Sequence, residues 1–168
     1  MEHDETRPVT LQVARSVLED PEFQNWEDLG VVLQAYLRDS LEDARELRDW
    51  ASSRDVRLWV RLVRGAYWDF ERIHAYQRNW SIPVYEKKGM TDRNYERMIQ
   101  VLCDATPHLK PAFASHNLRS LALGICSAEY HGLSDHNWEC QMLYGMGERI
   151  QKGLLEKNVP LRVYVPYG

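Results

Sequence analysis

The stretch VRLVRGAYWDF, residues 60–70, begins as an apolar strand and then carries Arg61, Arg64, Gly65 and the adjacent aromatics Tyr67 and Trp68. With a strand period of two, Arg57, Trp59, Arg61 and Val63 share one face while Leu58, Val60 and Leu62 share the other. Arg61 is therefore directed inward near the C-terminal end of its strand. A guanidinium among Val and Leu is costly to bury unless an anion, a carbonyl or a polar ligand takes its fork of donors. A structural carboxylate satisfies that demand as well as a ligand does, and Arg61 alone does not choose between them. Gly65 adds a second signal, since a residue without a β-carbon lets a planar or phosphate-bearing ligand approach the main chain, with the aromatics of GAYW beside it.

The other apolar runs end in the same way. VVLQAY (31–36) closes on Gln34 and Tyr36, PAFAS (111–115) on Ser115 and His116 with Asn117, WECQMLY (138–144) on Gln141 and Tyr144, and LRVYV (161–165) on Tyr164 and Tyr167. Singly, each is explained by loop polarity, a helix cap or core cover. Taken with Arg61 and Arg64 at the end of VRLWVRLV (56–63), they make five strand ends that carry hydrogen-bonding groups. In a parallel βα barrel, the rim formed by such ends is the ligand-binding face.

The elements that must position these residues follow from periodicity. Leu41, Ala44, Leu47 and Trp50 repeat at helical spacing, as do Tyr95, Met98, Ile99 and Leu102. Ser40, Thr91 and Asn117 are the expected helix starts, Ser40 with Asp43 in a capping-box position, and the helix after Asn117 stops at Gly132. Strands alternating with helices predict an α/β fold with a parallel sheet. NWSIPVYEKKGM, residues 79–90, is expected as a loop on the rim. No Pro-, Gly- or Ser-rich linker divides the chain.

The composition of the 168 residues is that of a globular domain, 44% hydrophobic and 27% charged, with a net charge of -4 and no basic stripe. It argues against nucleic-acid binding. Cys103, Cys126 and Cys140 lie far apart and form no C-x-x-C, so neither a disulfide framework nor a zinc site is expected, and a reducing cytoplasm fits. His131, His136 and the EHDE at residues 2–5 lack a spacing that forces a metal site. No signal peptide or membrane span is expected. G-x-S-x-G, Walker and G-x-G-x-x-G motifs are absent.

Six blocks, VVLQAYLRDS, VRLVRGAYWD, PVYEKKGMTD, PAFASHN, ECQMLYGMGE and RVYVPYG, resemble successive blocks of proline dehydrogenase in family order. The resemblance spans nearly the whole chain and is closest to the bifunctional bacterial type joined to a glutamate-semialdehyde dehydrogenase. It implies a distorted (βα)8 TIM-type barrel that holds FAD and oxidises L-proline to Δ1-pyrroline-5-carboxylate, with electrons passed to a membrane quinone. By position it implies that Arg61 is catalytic, beside flavin N5, and that Gln34 touches the flavin. Arg64, Gly65 and Ala66 would hug the cofactor through their main chain, with Trp68 nearby. Met1, Lys87, Ser115 and His116 would supply further FAD contacts, and Tyr164 would pack over the proline ring. The family's aspartate just before Met1, its lysine on the first barrel strand and its paired arginines on the last helix have no counterpart here. With about five strands of eight, residues 1–168 are expected to be the C-terminal part of an incomplete barrel, lacking the first strands and the last helix. The location implied is cytoplasmic, peripheral at the inner membrane. Activity of such a piece stands against a non-catalytic flavin-binding or assembly role.

Overall fold

The computed structural model describes residues 3–23 and 25–165. After a 3-10 turn at Asp4–Thr6 come α1 (Arg7–Leu18), β1 (Gly30–Gln34), α2 (Ser40–Arg54), β2 (Leu58–Val63), α3 (Trp68–Gln77) and α4 (Lys88–Asp104). The chain continues through β3 (Leu109–Ala114), α5 (Leu118–Tyr130), β4 (Glu139–Leu143), α6 (Glu148–Glu156) and β5 (Leu161–Tyr164). The strands form one sheet in the order β1-β2-β3-β4-β5, every pair parallel. Sequential parallel pairing with helices between the strands is the wall of a (βα)8 barrel, here a five-stranded arc.

The two faces of that arc differ as the alternation in β2 demands. Leu58, Val60 and Leu62 are fully buried, whereas Trp59, Arg61 and Val63 are only half-buried. The buried side meets α4, whose Tyr95, Met98, Ile99 and Leu102 recur at helical spacing and are fully buried as well. Removal of this apolar area from water is the main stabilising term. Phe113 of β3 presses on Gly124 of α5, where a β-carbon would stand 2.7 Å from its ring. That close approach seats α5 directly against the sheet and fixes the turn Ser115–His116–Asn117 above it.

Helix starts follow the sequence at one place and depart from it at two. Asn117 caps α5, its side chain accepting from the Ser120 N–H at 3.2 Å. Ser40 is the first helical residue and not the cap. Asp39 precedes it, and the Ser40 hydroxyl instead donates back to the Leu37 carbonyl at 2.9 Å and accepts from Asn94 Nδ2 at 3.0 Å. Asp43, which would complete a capping box, is taken by Arg7 of α1. Thr91 lies a turn inside α4, which begins at Lys88, so the last three residues of NWSIPVYEKKGM are helical. The rest of that stretch is a loop whose Val84 bridges Leu37.

Candidate functional site

The carboxyl ends of the strands open on a hollow of about 400 Å³. Gln34 of β1, Arg61 of β2, the turn Arg64–Tyr67, Ser115 and His116 after β3, Gln141 and Leu143 of β4, and Tyr164 of β5 line it. Each strand thus delivers one or more inward-facing groups to the same space. Their inward direction comes from register: Gln34 pairs with Val63, Arg61 with Ala112, and Tyr164 with Leu143, all on the face away from the helices.

Arg61 reaches across the mouth of the arc. Its Nη2 donates to the Tyr164 hydroxyl, and its guanidinium carbon lies 4.6 Å from the centroid of that ring. Its Nε is buried and has no hydrogen-bond partner. A buried donor left unmade is destabilising, a cost this chain also carries at the Nε of Arg7, Arg15 and Arg72.

Arg64 is anchored by contrast. Its Nε donates to Asp92 Oδ1 at 2.7 Å, its Nη1 to Ser115 Oγ at 2.7 Å and its Nη2 to Ser120 Oγ at 2.5 Å, with the guanidinium over the Tyr95 ring at 4.9 Å. Burial pushes Asp92 up, but the Arg64 hydrogen bond and charge, aided by Lys88, outweigh it and hold the carboxyl below its ordinary 3.8. A depressed carboxyl stabilises the fold above its unfolded pKa and ceases to do so as pH falls through the folded value. The gap in melting temperature between the protein and an Asp92→Asn variant is therefore expected to be complete above pH 3.8 and to close below it. A pH series of thermal melts checks this, and a gap that persists in acid excludes the pair as its origin.

Ser115 Oγ accepts from both Arg64 and the Asn117 N–H, at 2.7 and 3.1 Å, which leaves its own proton to donate. His116 Nε2 accepts the Leu143 N–H at 3.0 Å, so the neutral ring carries its proton on Nδ1. The rim therefore offers donors from Arg61, Ser115 and His116 around one space.

Other expected site residues lie elsewhere. Trp68 turns away from the hollow, its Nε1 donating to the Tyr85 carbonyl at 2.9 Å and its ring packing on the cluster of Tyr36, Leu37 and Val84. Its neighbour Tyr67 lines the hollow instead, and the turn between β2 and α3 has no periodicity from which that choice could be read. Lys87 is exposed at the N-cap of α4, outside the hollow. Tyr36 is buried and Tyr144 exposed, and neither faces the hollow. Gly65 does border it, but the place of its missing β-carbon is filled by the Tyr36 ring at 2.4 Å, with φ at +127°. A protein side chain and the backbone conformation thus each call for glycine here. Met1 and Tyr167 fall outside the described residues. Among the described residues, no group of three His, Cys, Asp or Glu side chains could hold a metal ion, and no helix is long and apolar enough to cross a membrane. Cys103 and Cys140 are buried, which pushes both thiols up to about 12.

Solved structures and curated proteins are similar to this chain. The crystal structure of proline utilization A (PutA) from Bdellovibrio bacteriovorus, inactivated by N-propargylglycine, superposes with a TM-score of 0.94 at 44% identity, over 100% of this chain and 18% of that one. The bifunctional protein PutA of Salmonella typhimurium is 34% identical over 95% of the chain and 13% of its own length. Proline dehydrogenase 2 of Bacillus subtilis is 31% identical over 86% of the chain and 42% of its own length. The chain thus spans a small part of the bifunctional relatives and under half of the shorter one. The proline dehydrogenase family profile matches residues 1–168, and the chain belongs to that family.

Proposed function

We propose that this chain forms the flavin-facing part of a proline dehydrogenase that oxidises L-proline to Δ1-pyrroline-5-carboxylate with FAD and passes the electrons to a quinone. The observation that carries the reading is the convergence of Arg61 with Gln34, Ser115, His116, Gln141 and Tyr164, from four strands and the turn after a fifth, around one hollow. The residues fit a flavin in kind. An isoalloxazine presents ring nitrogens and carbonyls at its edge, and the hollow sets the Arg61, Ser115 and His116 donors beside the side-chain amides of Gln34 and Gln141. As part of this reading, the chain is the C-terminal portion of the family barrel.

The chemistry supplied by bound FAD is acceptance of a hydride from the carbon next to the proline nitrogen. Two electrons and two protons leave proline overall. Arg61 holds fixed positive charge where negative charge accumulates during that transfer, in a site partly shielded from water where it acts more strongly than in bulk. Tyr164 holds the guanidinium in place through its hydroxyl and ring, and offers the ring's outer face to the substrate. Ser115 and His116, after the neighbouring strand, would help hold bound FAD through the protons their hydroxyl and ring have left to donate.

The test is spectroscopic. Purified protein is expected to show flavin absorbance near about 450 nm, to melt higher with added FAD, and to bleach with L-proline. Colourless protein whose melting temperature ignores FAD would refute the reading. Yellow protein that proline never bleaches supports a flavin-binding role without chemistry.

A further inference from the structure

Gln141 lines the hollow from β4, and the orientation of its side-chain amide is set by a group that does not touch that space. Glu139, two residues earlier on the same inward face, is buried to 9% exposure and accepts from Gln141 Nε2 at 2.6 Å. Arg162 of β5, whose Cα pairs with that of Gln141, grips the same carboxylate from the other side. Its Nε donates to Oε1 at 2.7 Å and its Nη2 to Oε2 at 2.9 Å. Glu139 lines an adjoining opening further down the inner face, with Trp59, Ala112 and Arg162; Arg61 and Gln141 border both spaces, whereas Glu139 is not among the residues around the upper hollow.

A carboxylate held in this fork is an acceptor only. The end of the Gln141 amide that faces it must therefore be the NH₂ group, and the carbonyl oxygen must face the other way. The two ends of an amide have nearly the same shape, so without Glu139 nothing in packing would separate the two orientations. Among the described residues, no protein donor reaches Gln141 Oε1.

We propose that Glu139 is a positioning residue, which locks Gln141 with its carbonyl oxygen toward the hollow so that it accepts a ring N–H of the ligand. The inference rests on the flavin reading given above. Oxidised isoalloxazine has one ring N–H, between the two carbonyls of its pyrimidine ring, and Gln141 is thereby made selective for flavins that retain it. Arg162 fixes the Glu139 carboxylate in place through its two hydrogen bonds.

The experiment compares binding of FAD with binding of FAD methylated on that ring nitrogen, by quenching of flavin fluorescence. The wild-type protein is expected to prefer unmodified FAD by about tenfold, one hydrogen bond's worth, and Glu139→Gln to bring the ratio to about one because a neutral amide lets Gln141 turn. A general loss of stability would weaken both flavins alike and leave the ratio unchanged. Retention of the preference by Glu139→Gln, or its absence in the wild type, overturns the role of Glu139. Should that variant fail to fold, Gln141→Leu leaves the Glu139–Arg162 pair intact; it is expected to lose the preference, and keeping it overturns the proposal. Failure of the wild type to bind either flavin overturns the functional reading itself, a result distinct from binding without discrimination.

Discussion

Arg61→Met is expected to slow proline-dependent flavin bleaching by roughly 100- to 1000-fold, the loss of about 2.7 to 4 kcal/mol that follows removal of one preorganised donor at a site of developing charge. The melting temperature is expected to move little. The reason lies in what Arg61 does for the fold. Its contacts are one hydrogen bond and one ring face, both from Tyr164, while its Nε is buried without a partner. Replacing a half-desolvated guanidinium by an apolar chain of similar length removes a desolvation cost along with those contacts, so the two changes offset each other. Rate and stability should then separate, which rarely happens when a residue is purely structural. Stopped-flow reduction by proline alongside thermal melts checks both halves. An unchanged rate removes Arg61 from the chemistry, and a collapsed melting temperature makes it part of the frame.

That Arg61 points inward was legible because β2 obeys the simplest rule in protein structure. Leu58, Val60 and Leu62 make one face wholly aliphatic while Arg61 falls on the other, so the first had to meet helices and the second the barrel interior. The same logic placed all five strands within a few residues of where they lie. It also gave Tyr95, Met98, Ile99 and Leu102 as the buried stripe of α4. Asn117 was legible as a cap because its own side chain makes the bond that defines one.

What stayed hidden depends on partners distant in sequence. Ser40 has the composition of a cap, but Asn94 engages its hydroxyl and Arg7 takes Asp43, and neither partner is signalled by the local pattern. α1 shows little periodic burial, with only Leu11 and Leu18 inside and Val9 and Val13 exposed, so it left no strong stripe to read. Tyr67 and Trp68 are neighbours of similar character at the start of α3. Which of them faces the hollow is decided by the Tyr85 carbonyl that captures the indole of Trp68. The orientation of Gln141 is a still finer property, fixed by two hydrogen-bonding steps from β5 through Glu139. Residue type and strand alternation therefore announce which groups reach the rim. How each group is turned once there is set by contacts between elements.

Gly65 is where those two kinds of information disagree most, and Gly65→Ala is the second large effect expected. The sequence suggests a glycine kept for a ligand's approach, whereas the structure fills the position with the Tyr36 ring, whose nearest atom would lie 2.4 Å from an alanine β-carbon. The backbone there has φ of +127°, which side chains rarely adopt. Strain of about 1 to 3 kcal/mol and overpacking of about 1 to 3 kcal/mol together predict a loss near 3 kcal/mol or more in urea unfolding. The main chain would also shift, because Tyr36 N donates to the Arg64 carbonyl at 2.8 Å next to the altered residue. A double-mutant cycle with Tyr36→Ala separates the causes. If the ring is the obstacle, the alanine at residue 65 costs about 1 to 3 kcal/mol less once Tyr36 is truncated, leaving the backbone strain alone. If the glycine serves a ligand instead, the two substitutions add independently in stability and the penalty of Gly65→Ala appears in flavin affinity, where truncating Tyr36 does not relieve it.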